Sequence, residues 1–119
     1  DGRLLMPSQS ESNLGEAMSE EYEIHQWAKY EGEKWWKWAV WIEGSDEALD
    51  KIECVEWTLH PTFPNPVRRS KDRSQKFKLE TGGWGVFPIR ARVWTKDRSF
   101  VNLSHHLKLH YEDGTENTD

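Results

Sequence analysis

From about Glu21 onward, apolar and polar residues alternate with a period of two, and turn-forming residues interrupt the alternation every eight to twelve residues. Successive side chains then face opposite ways, which suits strands and not helices of period 3.6. Tyr22, Ile24 and Gln26 fall on one face, with Glu23, His25 and Trp27 on the other. Trp36, Trp38, Val40 and Ile42 share a face in a denser run whose other face carries Ala39 and Trp41. That run reads either as a strand covered on both sides or as one with an apolar outer surface.

The pattern continues to the C-terminal end. Gly44-Ser45-Asp46 breaks the dense run, and Glu47 to Lys51 fits one helical turn capped by Ser45 or Asp46. Ile52 to Leu59 alternates with Val55, Trp57 and Leu59 inward and Cys54, Glu56 and Thr58 outward. Prolines at 61, 64 and 66 end that strand, and a charged loop follows from Arg68 to Gln75. Phe77 and Leu79 mark a short strand, and Gly82 to Gly85 reads as a turn. Phe87, Ile89, Ala91 and Val93 alternate with Arg90, Arg92 and Trp94. Lys96-Asp97-Arg98 is the expected hairpin tip before Phe100, Val101 and Leu103 return. Leu107, Leu109 and Tyr111 alternate with His106, Lys108 and His110 in an expected last strand. Seven or eight short strands without a long helix predict an all-β fold, an antiparallel β-sandwich.

Residues 1–19 carry four serines and few large apolar groups, and are expected to be a flexible N-terminal segment. Residues 20–112 read as the folded domain and 113–119 as a polar C-terminal tail. The chain opens on Asp1, which reads as a piece of a longer protein, and Leu4-Leu5-Met6 is too short for a membrane span. Net charge is −5 with both signs interspersed, and beyond Arg68-Arg69 and Lys71 to Arg73 there is no basic stripe of the kind that binds phosphate backbones, so nucleic acid is not the expected main partner. The single cysteine, Cys54, excludes an intrachain disulfide. Phosphate-binding glycine loops, Gly-x-Ser-x-Gly elbows and Cys-x-x-Cys pairs do not occur. His106 and His110 have a zinc spacing only on a helix, and on a strand they lie too far apart to share one ion, so no metal site and no cofactor are expected. Eight tryptophans, five of them between Trp27 and Trp41, supply bulk for a small two-sheet core.

Two aromatic residues sit in turns. Phe63 lies in His60-Pro61-Thr62-Phe63-Pro64-Asn65-Pro66, where prolines stiffen the chain, and Trp84 lies in Gly83-Trp84-Gly85, where glycines allow sharp turns and close approach. Two such aromatics with a hydroxyl and an imidazole beside one of them suit a flat, mostly apolar group, and so recognition more than catalysis. These two motifs, with Trp38 to Gly44 before them and Leu107-Lys108-Leu109-His110 after, resemble a YEATS domain over roughly residues 36–112, and the wording resembles the prokaryotic branch.

The resemblance implies an immunoglobulin-like sandwich that binds acetyl- or crotonyl-lysine of a protein or peptide partner without catalysis. Phe63 and Trp84 would form the two walls around the planar acyl amide. Thr62 would bond that amide, the backbone N–H of Trp84 would donate to the acyl carbonyl, His60 would hold Thr62 or its loop, and Gly83 and Gly85 would let the backbone come close. The implied setting is a bacterial cytoplasm, or the nucleus in a eukaryotic host. Family readers of histone tails often carry an acidic residue where this chain has Ser104-His105-His106. A second expectation is a scaffolding domain of bacterial signalling or defence that keeps the fold and has lost the reading chemistry. A lesser one is carbohydrate binding on Trp35, Trp36, Trp41 or Trp94.

Overall fold

The computed structural model describes residues 21–119, so the expectation for residues 1–19 falls outside the described part. Seven strands form two antiparallel sheets. They are β1 (Glu23–Gly32), β2 (Trp35–Glu43), β3 (Ile52–Thr58), β4 (Val67–Ser70), β5 (Leu79–Gly83), β6 (Pro88–Thr95) and β7 (Phe100–His106). One sheet has the order β1-β2-β5 and the other β4-β3-β6-β7. This is the immunoglobulin-like sandwich that the alternation and the resemblance predict. A short helix α1 (Asp46–Asp50) carries the chain from the first sheet to the second, with Ser45 as its N-cap accepting from the N–H of Ala48.

The core is where the inward faces meet. Trp36, Trp38, Val40 and Ile42 from β2 pack against Val55 and Trp57 from β3 and against Ile89, Ala91 and Val93 from β6, all buried. Two of the three fully buried indoles find acceptors: Trp36 Nε1 donates to the carbonyl of His110 at 2.7 Å, and Trp57 Nε1 to that of Phe77 at 2.9 Å. Trp38 Nε1 has no hydrogen-bond partner among the described residues. The outer face of β2 is partly covered: Ala39 is buried, while Trp41 is half-buried and hydrogen-bonds Glu43 through Nε1.

Four local expectations change. The charged loop expected from Arg68 to Gln75 holds most of β4, which pairs with β3, and a 3-10 turn over Arg73–Gln75. Leu107 to Tyr111 is not a strand, although Leu107 and Leu109 are buried as the alternation requires. The amide of Gln26 takes both backbone groups of Lys108, accepting from its N–H at 3.0 Å and donating to its carbonyl at 2.7 Å, so a side chain stands where a strand partner would. Phe77 lies outside β5, in a left-handed conformation (φ 60°) after a 3-10 turn over Arg73–Gln75, and is buried beneath Trp57. Gly82 and Gly83 are the last residues of β5, paired with Lys37 and Trp36, and none of Gly82, Gly83 and Gly85 has a positive φ. At Gly82 the lack of a Cβ serves close approach instead. The 113–119 segment, polar as read, also folds back: the N–H of Asn117 donates to the carbonyl of Leu109 at 2.8 Å.

Gln26 also ties the sheets together at the β1–β7 edge. Its Oε1 already accepts from Lys108 N–H, so His105 Nε2, 2.7 Å away, is the donor and the imidazole is the Nε2–H tautomer. Burial, reinforced by His106, Lys108 and His25, holds His105 below the usual histidine range. The unfolded chain therefore takes up this proton at a higher pH than the folded one, so the contribution is complete above about pH 6.5 and is lost as pH falls through the lower folded value. Urea unfolding between pH 8 and 5 is expected to show stability falling below about pH 6.5, with a shallower fall in His105→Gln. Parallel curves would mean that His105 does not set the slope.

Candidate functional site

The loop between β3 and β4 is closed by short-range bonds that its prolines permit. Leu59 N–H donates to the carbonyl of Pro66 at 2.7 Å, and Phe63 N–H to that of His60 at 3.0 Å. Asn65 supplies the left-handed turn residue (φ 50°). Arg68, returning on β4, donates through Nε to the carbonyl of Asn65 (3.0 Å) and through Nη2 to that of Pro64 (2.8 Å), with its guanidinium carbon 5.9 Å from the Phe63 ring centre. The planar fork of arginine thus pins two carbonyls and a ring at once.

Phe63 is half-buried and continuous with the core. Its ring centre lies 5.4 Å from Phe87 and 6.3 Å from Trp38. Beside it, the exposed Thr62 and His60 form a closed pair. The N–H of Thr62 donates to His60 Nδ1 at 3.2 Å, which makes that nitrogen an acceptor, and the Thr62 hydroxyl lies 2.9 Å from the same atom. The hydroxyl proton therefore points to the imidazole and the oxygen's remaining lone pairs face outward. Among these residues, then, Thr62 presents an acceptor.

Trp84 stands on the other loop and is 56% exposed. Two segments distant in sequence reach it. The Lys34 ammonium, carried by the left-handed Glu33–Lys34 turn between β1 and β2, lies 5.8 Å from its ring centre and is ion-paired with Asp119. The hydrogen bond to Asp119 raises Lys34 above the ordinary lysine range. Asn117 Nδ2 donates to the carbonyl of Trp84 at 2.8 Å.

His60, Thr62, Phe63, Gly83, Trp84 and Gly85 all line one cleft of about 740 Å³, within the size range of small-ligand pockets. Phe63 and Trp84 both line this cleft, and no ring contact joins them among the described residues. Gly83 is close to the Phe63 wall, and a Cβ there would stand 3.4 Å from Phe63 Cζ. Trp35, Arg68, Phe87 and Asp119 also line the cleft; from the sequence, Trp35 is singled out only for carbohydrate and Phe87 only as an inward strand residue, and Arg68 and Asp119 are assigned no part in a site. Arg68 was legible only as part of a charged loop, and nothing in the polar C-terminal stretch marked Asp119 or Asn117. Of the tryptophans considered for carbohydrate, Trp36 is fully buried and unavailable, Trp35 is exposed, and Trp41 and Trp94 are half-buried, with Trp94 packed on Phe100.

Two aromatics on loops of an immunoglobulin-like sandwich, lining one cleft with an acceptor beside one of them, have the arrangement of a ligand-recognition module. Residues 36–108 match the family model for the prokaryotic YEATS domain, and the chain belongs to that family. It is similar to the protein AF-9 homolog of Saccharomyces cerevisiae, 32% identical over 88 residues, which cover 69% of this chain and 38% of the relative. The chain thus spans well under half the length of that relative. The Yaf9 YEATS domain bound to H3K27ac has the same fold, with a TM-score of 0.60 and 25% identity over 81% of this chain and 75% of that one. The Yaf9 YEATS domain recognizing an H3K122suc peptide gives a TM-score of 0.59 and 28% identity over 82% and 77%. These relatives lend no support to a scaffold of bacterial signalling or defence.

Gly82 sets the spacing beneath this cleft. A Cβ on it would stand 2.8 Å from the carbonyl oxygen of Trp36 and 3.0 Å from Trp35 Nε1. Gly82→Ala must push a paired backbone aside and is expected to lower stability by about 1–3 kcal/mol in denaturant unfolding. A loss below about 0.5 kcal/mol would show that β2 and β5 separate freely.

Proposed function

We propose that this domain is a non-catalytic reader of acylated lysine, taking the acyl amide between Phe63 and Trp84. The observation that supports the reading is the single cleft that both rings line, with the Thr62 oxygen as an acceptor in the same lining. Acylation removes the lysine charge and its strong hydration, leaving a planar neutral amide that two π faces can cover. Burial of that amide is unfavourable unless its N–H and C=O both find partners. The N–H meets the Thr62 oxygen, whose own proton is engaged by His60. The carbonyl meets the backbone N–H of Trp84. Gly83 and Gly85 keep the backbone near enough for that bond. An unmodified ammonium retains cation–π attraction to the rings but loses the amide plane and the carbonyl, so it binds less well.

The partner follows from the same chemistry: a protein or peptide that displays an acylated lysine. Relatives seen with H3K27ac and an H3K122suc peptide support an acylated histone H3 segment as that partner in a eukaryotic host, with the nucleus as the expected compartment. Two stacking contacts contribute about 1–3 kcal/mol, so affinity for a short peptide is expected to be on the order of micromolar or weaker.

The exposed indole of Trp84 makes the test direct. Tryptophan fluorescence is followed while acetyl-, crotonyl- and unmodified-lysine peptides are added. Saturable quenching by the acylated peptides is the expected result, with affinity weakened tenfold or more in Phe63→Ala by the same readout and in Trp84→Ala by titration calorimetry. No response at millimolar acylated peptide from a folded domain would overturn the reading and turn attention to protein docking.

A further inference from the structure

Asn117 is the single polar residue buried among the described residues, 3% exposed, in a stretch whose composition marks it as an ordinary polar end. Burial of an amide is unfavourable unless its groups are bonded, and here they are. Its backbone N–H donates to the carbonyl of Leu109 at 2.8 Å, its Nδ2 donates to the carbonyl of Trp84 at 2.8 Å, and its Oδ1 accepts from the N–H of Asp119 at 3.3 Å. The Leu109 bond anchors the segment to a fully buried residue of the core. The Trp84 bond carries that anchorage to the cleft wall. The Asp119 bond holds the residue whose backbone oxygen would lie 3.6 Å from a Cβ on Gly85, and whose carboxylate pairs with Lys34 beside the Trp84 ring.

We propose that Asn117 is a positioning residue for Trp84, which makes the segment from Glu112 to Asp119 part of the recognition site. The inference rests on the acyl-lysine reading and adds to it a part of the chain that neither aromatic motif contains. Trp84 sits in a glycine-flanked loop with its ring mostly in solvent, so little packing fixes it. A hydrogen bond to its carbonyl holds the peptide plane that follows it, and with it the backbone from which the indole projects. A wall fixed before the ligand arrives spares the ordering cost that a free loop would add to binding. Asn117 touches no ligand in this scheme and acts only through Trp84.

The experiment compares the wild-type domain with Asn117→Ala and Asn117→Ser by NMR, below the unfolding temperature of each. Ser keeps a small polar side chain at the site and serves if the Ala variant does not fold. A crotonyl-lysine peptide is titrated in, and the upfield ring-current shift of its terminal methyl is read at saturation. Positioning predicts a weakening of tenfold or more and a smaller methyl shift, because the amide no longer lies squarely on the indole. Affinity within twofold of wild type and an unchanged methyl shift, in a variant that merely melts earlier, would overturn the proposal. A ligand-free arm separates this outcome from failure of the reading itself. If wild type does not bind the peptide, a displaced Trp84 indole N–H resonance in the Asn117 variant still supports the positioning role, and an unmoved one removes it.

Discussion

Trp38 lies edge-on to both Phe63 and Phe87, with ring centres 6.3 and 6.0 Å away, and Phe87 in turn lies 6.0 Å from the His60 ring. Through these contacts the hydrophobic core and the candidate site are one body. Edge-to-face packing is directional, so a ring seated against two others has few places to go. Phe63, half-buried on a proline-stiffened loop, inherits its position from a fully buried indole of β2. The unpartnered N–H of Trp38 is the local cost of filling this junction with aromatic surface, of order 1–3 kcal/mol for a buried donor left unmade.

The two walls of the cleft are held by different physics. Phe63 is seated from below by core aromatics and from the side by Arg68, whose fork joins two loop carbonyls. Trp84 has no such seat. Its backbone is fastened by Asn117, and its ring lies beside a lysine carried by the β1–β2 turn and paired with Asp119. Ring contacts that exclude water place the first wall, whereas polar bonds between segments far apart in the chain place the second. Polar bonds of this kind need both partners in register, and therefore need the whole sandwich to be assembled first.

The same contrast governs what could be read before the structure. Alternation located β1, β2, β3, β6 and β7 and the inward residues on them, because a half-buried strand must show period two whatever its partners are. It misplaced the end of the chain. Leu107 and Leu109 are buried at the right spacing, but Gln26, more than eighty residues earlier, occupies the backbone of Lys108. It read a turn from Gly82 to Gly85, where Gly82 and Gly83 end β5. A glycine looks the same in sequence whether it serves a positive φ or a close approach, and at Gly82 the approach of Trp35 and Trp36 requires it.

The six residues named from the two aromatic motifs line a single cleft, since prolines and glycines act on the chain locally and hold their aromatics wherever the loop is placed. Trp35, Arg68, Asn117 and Asp119 could not be named in that way, because their part depends on which distant segment each one meets. Sequence by itself determined the strand content, the inward faces and the two aromatic loops, all of them consequences of spacing and local backbone preference. Only the tertiary structure decided that the two loops line one cleft and that the C-terminal segment is bonded to one of them. Those are facts of long-range packing and hydrogen bonding, which periodicity does not encode.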